Sequence, residues 1–150
     1  RHIPGAVFFD IDEISDSDNP LPHMMPSPEK FSSRVRRLGL GDGNRIVVYD
    51  GSPMMGATRV WWMFRAFGHK DVAVLDGGLP KWIAEGRPVT DDPPQPRERH
   101  FTARLDTTLI RDVGQVTRLI DSKAEQIVDA RAAPRFRGEA PEPRPNLRLG

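Results

Sequence analysis

The sequence has 150 residues, enough for one ordinary core that buries about 70% of the surface its unfolded chain would expose. Its 22 Lys and Arg against 21 Asp and Glu leave a formal net charge of +1. The basic residues are dispersed, and no run approaches the ~18 apolar residues of a membrane span, so neither a nucleic-acid partner nor a membrane is expected. There is no cysteine, which excludes disulfides, thiolate metal sites and thiol chemistry within the chain.

Ala6 to Asp10, AVFFD, reads as a short buried strand after the Pro4-Gly5 turn, and Ile11 to Ser27, with three prolines, as a loop. Ser27 followed by Pro28 is an N-cap with proline at the first helical position; Phe31, Val35 and Leu38 at i, i+4 and i+7 predict an amphipathic helix that stops near Gly39. Arg45 to Asp50, RIVVYD, is a β-branched strand running into the turn-rich DGSPMMG. A helix from about Ala57 to Phe67 follows, with Val60, Met63, Phe64 and Phe67 on one face and Gly68 as its stop. Asp71 to Leu75 is the next strand; Asp76-Gly77-Gly78 turns it into a short helix started by Pro80.

This alternation predicts an α/β fold with a parallel sheet covered by helices on both faces. Arg87 to Asp106 carries four prolines and little apolar periodicity, which reads as an inter-domain linker. Val113, Val116 and Leu119 then mark a further helix, and Gln126 to Asp129 a further strand.

Two places could carry chemistry. The strand-loop-helix at Tyr49 to Ala57 lies where an α/β sheet presents a ligand, at the carboxyl end of a strand and the positive end of a helix. Asp50 stands at its start, and the plain reading is a carboxylate stabilised by that helix end. The second place is RAAPRFRGEAPEPR, in which Arg131, Arg135, Arg137 and Arg144 fall within fourteen residues. By composition this is a solvated basic loop or, since an arginine fork binds oxyanions through paired hydrogen bonds, an anion site.

His2 is read as hydrogen-bonding nearby backbone. His23, His69 and His100 are isolated, so no metal is expected. Trp61, Trp62 and Trp82 are read as core or domain-interface packing. The glycine pairs lack dinucleotide spacing, so no cofactor is expected.

HIPGA at residues 2–6, the R-V-W-W-M-F-R-A-F-G helix, V-L-D-G-G, and D-A-R followed by R-F-R-G and P-E-P-R together resemble the tandem-domain sulfurtransferases of the rhodanese family, most closely their mercaptopyruvate branch. The likeness covers essentially the whole chain. It implies a rhodanese-like sheet, incomplete at both ends, because the D-A-R strand that precedes HIPGA in each repeat here comes last. The expectation is an internal piece: residues 1–86 as a non-catalytic first domain without its first strand, 87–108 as linker, and 109–150 as the start of the catalytic domain.

The resemblance further implies transfer of sulfur from 3-mercaptopyruvate or thiosulfate, through a cysteine persulfide, to a thiol or cyanide acceptor. The family's nucleophilic cysteine is replaced by Asp50 in this domain, so the piece alone is expected to be inactive. Arg135 and Arg144 match the arginines that contact substrate, and Arg144 tilts the preference towards mercaptopyruvate. Arg131 and Asp129 are read as a structural charge pair and Arg137 as exposed. A cytoplasmic location is the default expectation. The alternative of another class is a non-catalytic rhodanese-like binding or structural module. The order of the repeats also raises the question whether Gln126–Asp129 fills the first sheet's vacant strand position or pairs between chains.

Overall fold

Ser27 turns an extended segment into the first helix. Its hydroxyl accepts from the Lys30 backbone N–H at 3.2 Å, satisfying one of the donors that a helix start leaves open. A computed structural model of the chain describes residues 1–51 and 56–140, and by internal contacts these fall in two units, residues 1–110 and 111–150.

In the first unit, helix α1 (Pro28–Arg37) carries Glu29 in its first turn and Arg34, Arg36 and Arg37 in its last, each complementing the helix dipole. Phe31 and Val35, one turn apart, are both 0% exposed. Gly39 ends the helix at φ +73°, and a Cβ there would stand 3.0 Å from the Arg97 carbonyl, so glycine is required both for the conformation and for the close passage of residues 96–97.

Strands β1 (Ile46–Val48) and β2 (Val72–Val74) pair in parallel, with Ile46 opposite Val72 and Val48 opposite Val74. A parallel pair needs a crossover, and helix α2 (Gly56–Ala66) supplies it while packing on both strands. Ala57, Val60, Met63, Phe64 and Ala66 of α2 are buried. Helix α3 (Gly78–Ala84) begins two residues before Pro80, which therefore sits inside the first turn, and it buries no side chain. The core lies on the face of Ile46 and Val72; Val47 points to the other face and is 53% exposed.

Phe31 is the hub of that core. Its ring stacks on Phe67 at 4.2 Å between centroids and meets Phe64 and Phe101 edge-on at 5.3 and 5.8 Å. Each of these buried side chains contributes roughly 1.5–3 kcal/mol by leaving water.

Phe101 comes from the proline-rich stretch, and its place in the core means that this stretch wraps the first unit rather than hanging free. Ser32 donates to the Phe101 carbonyl at 2.6 Å, Arg104 N–H to Phe67 O at 2.9 Å and Asp106 N–H to Ala66 O at 2.7 Å. Asp42 fastens it too, accepting from the Thr102 N–H at 3.0 Å and the Thr102 hydroxyl at 2.7 Å.

Two expected strands are absent. Ala6 to Asp10 forms no ladder, although its side chains behave as in a strand: Phe9 packs into the core and Phe8 is 80% exposed. A strand needs a hydrogen-bonding neighbour, and among the described residues the sheet consists of β1 and β2. Gln126 to Asp129 likewise forms no ladder and is exposed throughout, so it does not complete that sheet.

In the second unit, helix α4 (Val113–Ser122) opens with a reciprocal capping box. The Asp112 carboxylate accepts from Gln115 N–H at 2.7 Å, and the Gln115 side chain accepts from Asp112 N–H at 2.8 Å. Helix α5 (Ala133–Phe136) is a single turn. No side chain of either helix is buried; Val113 is 84% and Phe136 62% exposed. No described helix is long and apolar enough to cross a membrane.

Candidate functional site

The carboxyl end of β1 and the amino end of α2 meet at Asp50, as the pattern of strand and helix requires. Its Oδ2 accepts from the Ala57 backbone N–H at 2.9 Å, and its carbonyl accepts from Leu79 N–H at 3.0 Å. Gly78, at φ +53°, lets the second turn close on this strand end: a Cβ there would lie 2.7 Å from the Asp50 carbonyl oxygen. A helix end that could hold an anion is thus already occupied by the protein's own carboxylate. Asp50 has no electrophile-accepting sulfur, and its charge opposes the entry of another anion. Ser52 to Met55, including Pro53, lie outside the described residues.

A nearby concavity, at the end of β2, is lined by Asp76, Gly78, Lys81, Trp82, Glu85 and Arg87. Its cations are engaged: Lys81 Nζ lies 2.6 Å from Asp76 and Arg87 Nε 2.6 Å from Glu85. The hydrogen bond to Asp76 raises the Lys81 ammonium above its ordinary pKa. The arrangement leaves no evident cation for an anionic substrate.

Of the arginines read from sequence, Arg135 lies on α5, half-buried, and Arg144 lies outside the described residues. Arg131 grips Asp129, with Nη2 to Oδ2 at 2.6 Å and Nε to Oδ1 at 3.0 Å. That side-chain bond, then the Arg131 backbone N–H, then the charges of Arg131 and Arg135 hold the Asp129 carboxyl below its ordinary pKa. The charge pair is therefore present without the strand expected to carry it. Arg137 is exposed and pairs with Glu139 at 2.9 Å. The ring nitrogens of His2 lie 2.9 Å from Ile3 O and 3.0 Å from Asp92 O, so this side chain holds backbone.

Sequence reading passed over Arg59, in the first turn of α2. Its guanidinium lies 4.7 Å from the Trp62 ring centre and donates to the His23 carbonyl at 2.7 Å, tying the 11–27 loop to the helix. The i, i+3 spacing of arginine and tryptophan was the available signal. Arg65 over Trp61 and Arg87 over Trp82 repeat the pairing, at 5.3 and 5.2 Å. The three tryptophans are therefore part-exposed platforms under arginines, and none is fully buried in the core.

Residues 1–85 match the model of the rhodanese-like domain. The chain belongs to the rhodanese family. Human 3-mercaptopyruvate sulfurtransferase is 45% identical over 152 aligned positions, covering 100% of this chain and 51% of the relative. Chicken thiosulfate sulfurtransferase is 49% identical over 140, covering 92% and 48%. The chain thus spans about half the length of the curated relatives it matches.

Among solved structures, the SseA protein of Escherichia coli, described as a rhodanese-fold 3-mercaptopyruvate sulfotransferase, superposes with a TM-score of 0.86 at 40% identity. That superposition covers 95% of this chain and 55% of SseA. Tum1 of Saccharomyces cerevisiae gives 0.87 at 29% identity, over 99% and 52%. The α/β arrangement of this chain is therefore that of the rhodanese fold.

Proposed function

We propose that this rhodanese chain works as part of a tandem-domain sulfurtransferase. In it, residues 1–86 are the non-catalytic domain, 87–108 the linker and 109–150 the opening of the catalytic domain. One observation carries the proposal: the strand-end position that would hold a nucleophile holds Asp50, bonded to Ala57 N–H, and the chain has no cysteine at all. The thiolate must come from a further part of the protein. That thiolate attacks the sulfur of 3-mercaptopyruvate, the carbon–sulfur bond breaks, and the departing pyruvate enolate takes a proton. An acceptor thiolate or cyanide then attacks the outer sulfur of the persulfide and restores the thiolate. Splitting one transfer into two is the general gain of a covalent nucleophile.

Within this reading Arg135 and Arg144 bind the donor's carboxylate. Overall identity does not separate the substrates, since mercaptopyruvate and thiosulfate relatives match almost equally well. The preference for mercaptopyruvate therefore rests on Arg144.

The test compares two proteins. The 150-residue chain should show no turnover of 3-mercaptopyruvate with cyanide. A longer protein that contains it and a downstream cysteine loop should be active, and Arg144→Ala there should lower kcat/KM for mercaptopyruvate by about 30- to 100-fold and for thiosulfate much less. Equal losses would overturn the substrate assignment. An inactive longer protein would favour a rhodanese-like binding module, a reading that the Asp50 cap on α2 also suits.

A further inference from the structure

Arg97 and Arg99 are exposed on the proline-rich stretch, and among the described residues neither guanidinium has a hydrogen-bond or ion-pair partner. Glu98 between them is taken by Arg36 at 3.2 Å. Three residues after Arg99 comes Thr102, itself exposed, so the run R-E-R-H-F-T sets two free cations five and three residues ahead of a hydroxyl. Backbone bonds lay this run along the surface: Arg99 N–H donates to Arg36 O at 3.3 Å and Asp42 N–H to His100 O at 2.8 Å. A protein kinase with an acidic peptide cleft selects serine or threonine by such upstream arginines, because the charge pairs fix the register of the substrate segment.

The same hydroxyl fastens the stretch, donating to Asp42 Oδ2 at 2.7 Å beside the 3.0 Å bond from Thr102 N–H to Oδ1. We propose that Thr102 is a phosphorylation site for a serine/threonine kinase directed by Arg97 and Arg99, and that the phosphate loosens the stretch from Asp42. The Thr102 oxygen attacks the γ-phosphorus of ATP, the bond to the departing ADP oxygen breaks, and the hydroxyl proton passes to the kinase's base. The product has no hydroxyl donor, and a group of about −1.5 to −2 charge now stands against a carboxylate. Repulsion therefore works against the remaining N–H bond as well. The His100 ring, 3.2 Å from the hydroxyl, can donate one hydrogen bond to the phosphate, against the two that Asp42 holds in the unmodified chain. Neither the two arginines nor Thr102 takes part in the proposed sulfur transfer.

The test incubates the folded chain with ATP and a purified kinase selective for Arg-x-Arg-x-x-Ser/Thr, and maps the phosphate by mass spectrometry. Thr102 should be modified, and the double variant Arg97→Gln/Arg99→Gln should take up phosphate there at least about tenfold more slowly. Its tryptophan emission should match the parent's, since neither arginine holds a partner in the fold. Trypsin should then cut after Arg99 or Arg104 about tenfold faster in the phosphorylated chain than in the unmodified one. In Asp42→Asn, where no carboxylate repels the phosphate, phosphorylation should speed that cleavage by no more than about threefold. An unmodified Thr102, or uptake that ignores the two arginines, would overturn the proposal. So would cleavage that phosphorylation leaves unchanged, or that it accelerates equally in Asp42→Asn.

Discussion

The Asp50 carboxylate and the Ala57 backbone N–H are joined by a 2.9 Å hydrogen bond that closes the loop between β1 and α2. This bond satisfies a helix-end donor and places negative charge against the positive end of α2. Asp50→Ala should therefore destabilise the first unit by about 1 kcal/mol, and Asp50→Asn, whose amide oxygen still accepts, by only a few tenths. Urea unfolding followed by tryptophan emission measures both; equal losses would mean that charge, not hydrogen bonding, is what matters.

Gly78→Ala strains the same strand end from the other side. The position has φ +53°, and an added Cβ would meet the Asp50 carbonyl oxygen at 2.7 Å. A cost of about 1–3 kcal/mol is expected, whereas Gly86→Ala, with positive φ but nothing within 4 Å, should cost less. Thermal melts of the two variants side by side provide the comparison.

Phe101→Ala removes the ring that seats the proline-rich stretch beside Phe31 and Phe64. The loss should be about 3–5 kcal/mol, and limited proteolysis should begin to cut within residues 91–106. A variant that resists cleavage as the parent does would show that the hydrogen bonds of Thr102, Arg104 and Asp106 suffice without the ring.

Asp42 supplies a pH dependence. The Thr102 N–H, then the Thr102 hydroxyl, then nearby His100 and His69 lower its carboxyl below the ordinary value in the folded state. A group with depressed folded pKa contributes stability above its unfolded pKa of about 3.9 and loses it as pH falls through the folded value. The stability gap between the parent chain and Asp42→Asn should therefore be present near pH 5 and shrink below about pH 4. A gap that stays constant down to pH 2 would assign the effect to geometry alone.

For the proposed sulfurtransferase, Arg135→Lys tests the fork directly. Lysine keeps the charge but loses paired donation, so kcat/KM for mercaptopyruvate should fall about tenfold in the longer protein, mainly through KM. Full retention would return Arg135 to the solvated basic loop.

Local pattern alone was enough for α1, α2, β1, β2 and α4. Caps such as Ser27, stops such as Gly39 and Gly68, and the spacing of Phe31, Val35, Val60 and Phe64 act within a few residues and need no distant partner. Asp50 was legible for the same reason, since a strand end followed by a helix start defines its surroundings. The motifs likewise identified the family that residues 1–85 match.

What the sequence could not determine are the features that depend on a neighbour elsewhere in the chain. AVFFD and QIVD have strand composition, yet a strand exists only where another backbone completes its hydrogen bonds, and among the described residues neither segment has one. Phe101 sits among prolines and charges, with no periodicity to mark it, and only the packing of residues 96–106 against Phe31 and Phe67 made it core. Periodicity reports which face of an element is apolar; tertiary structure alone decides whether anything covers that face.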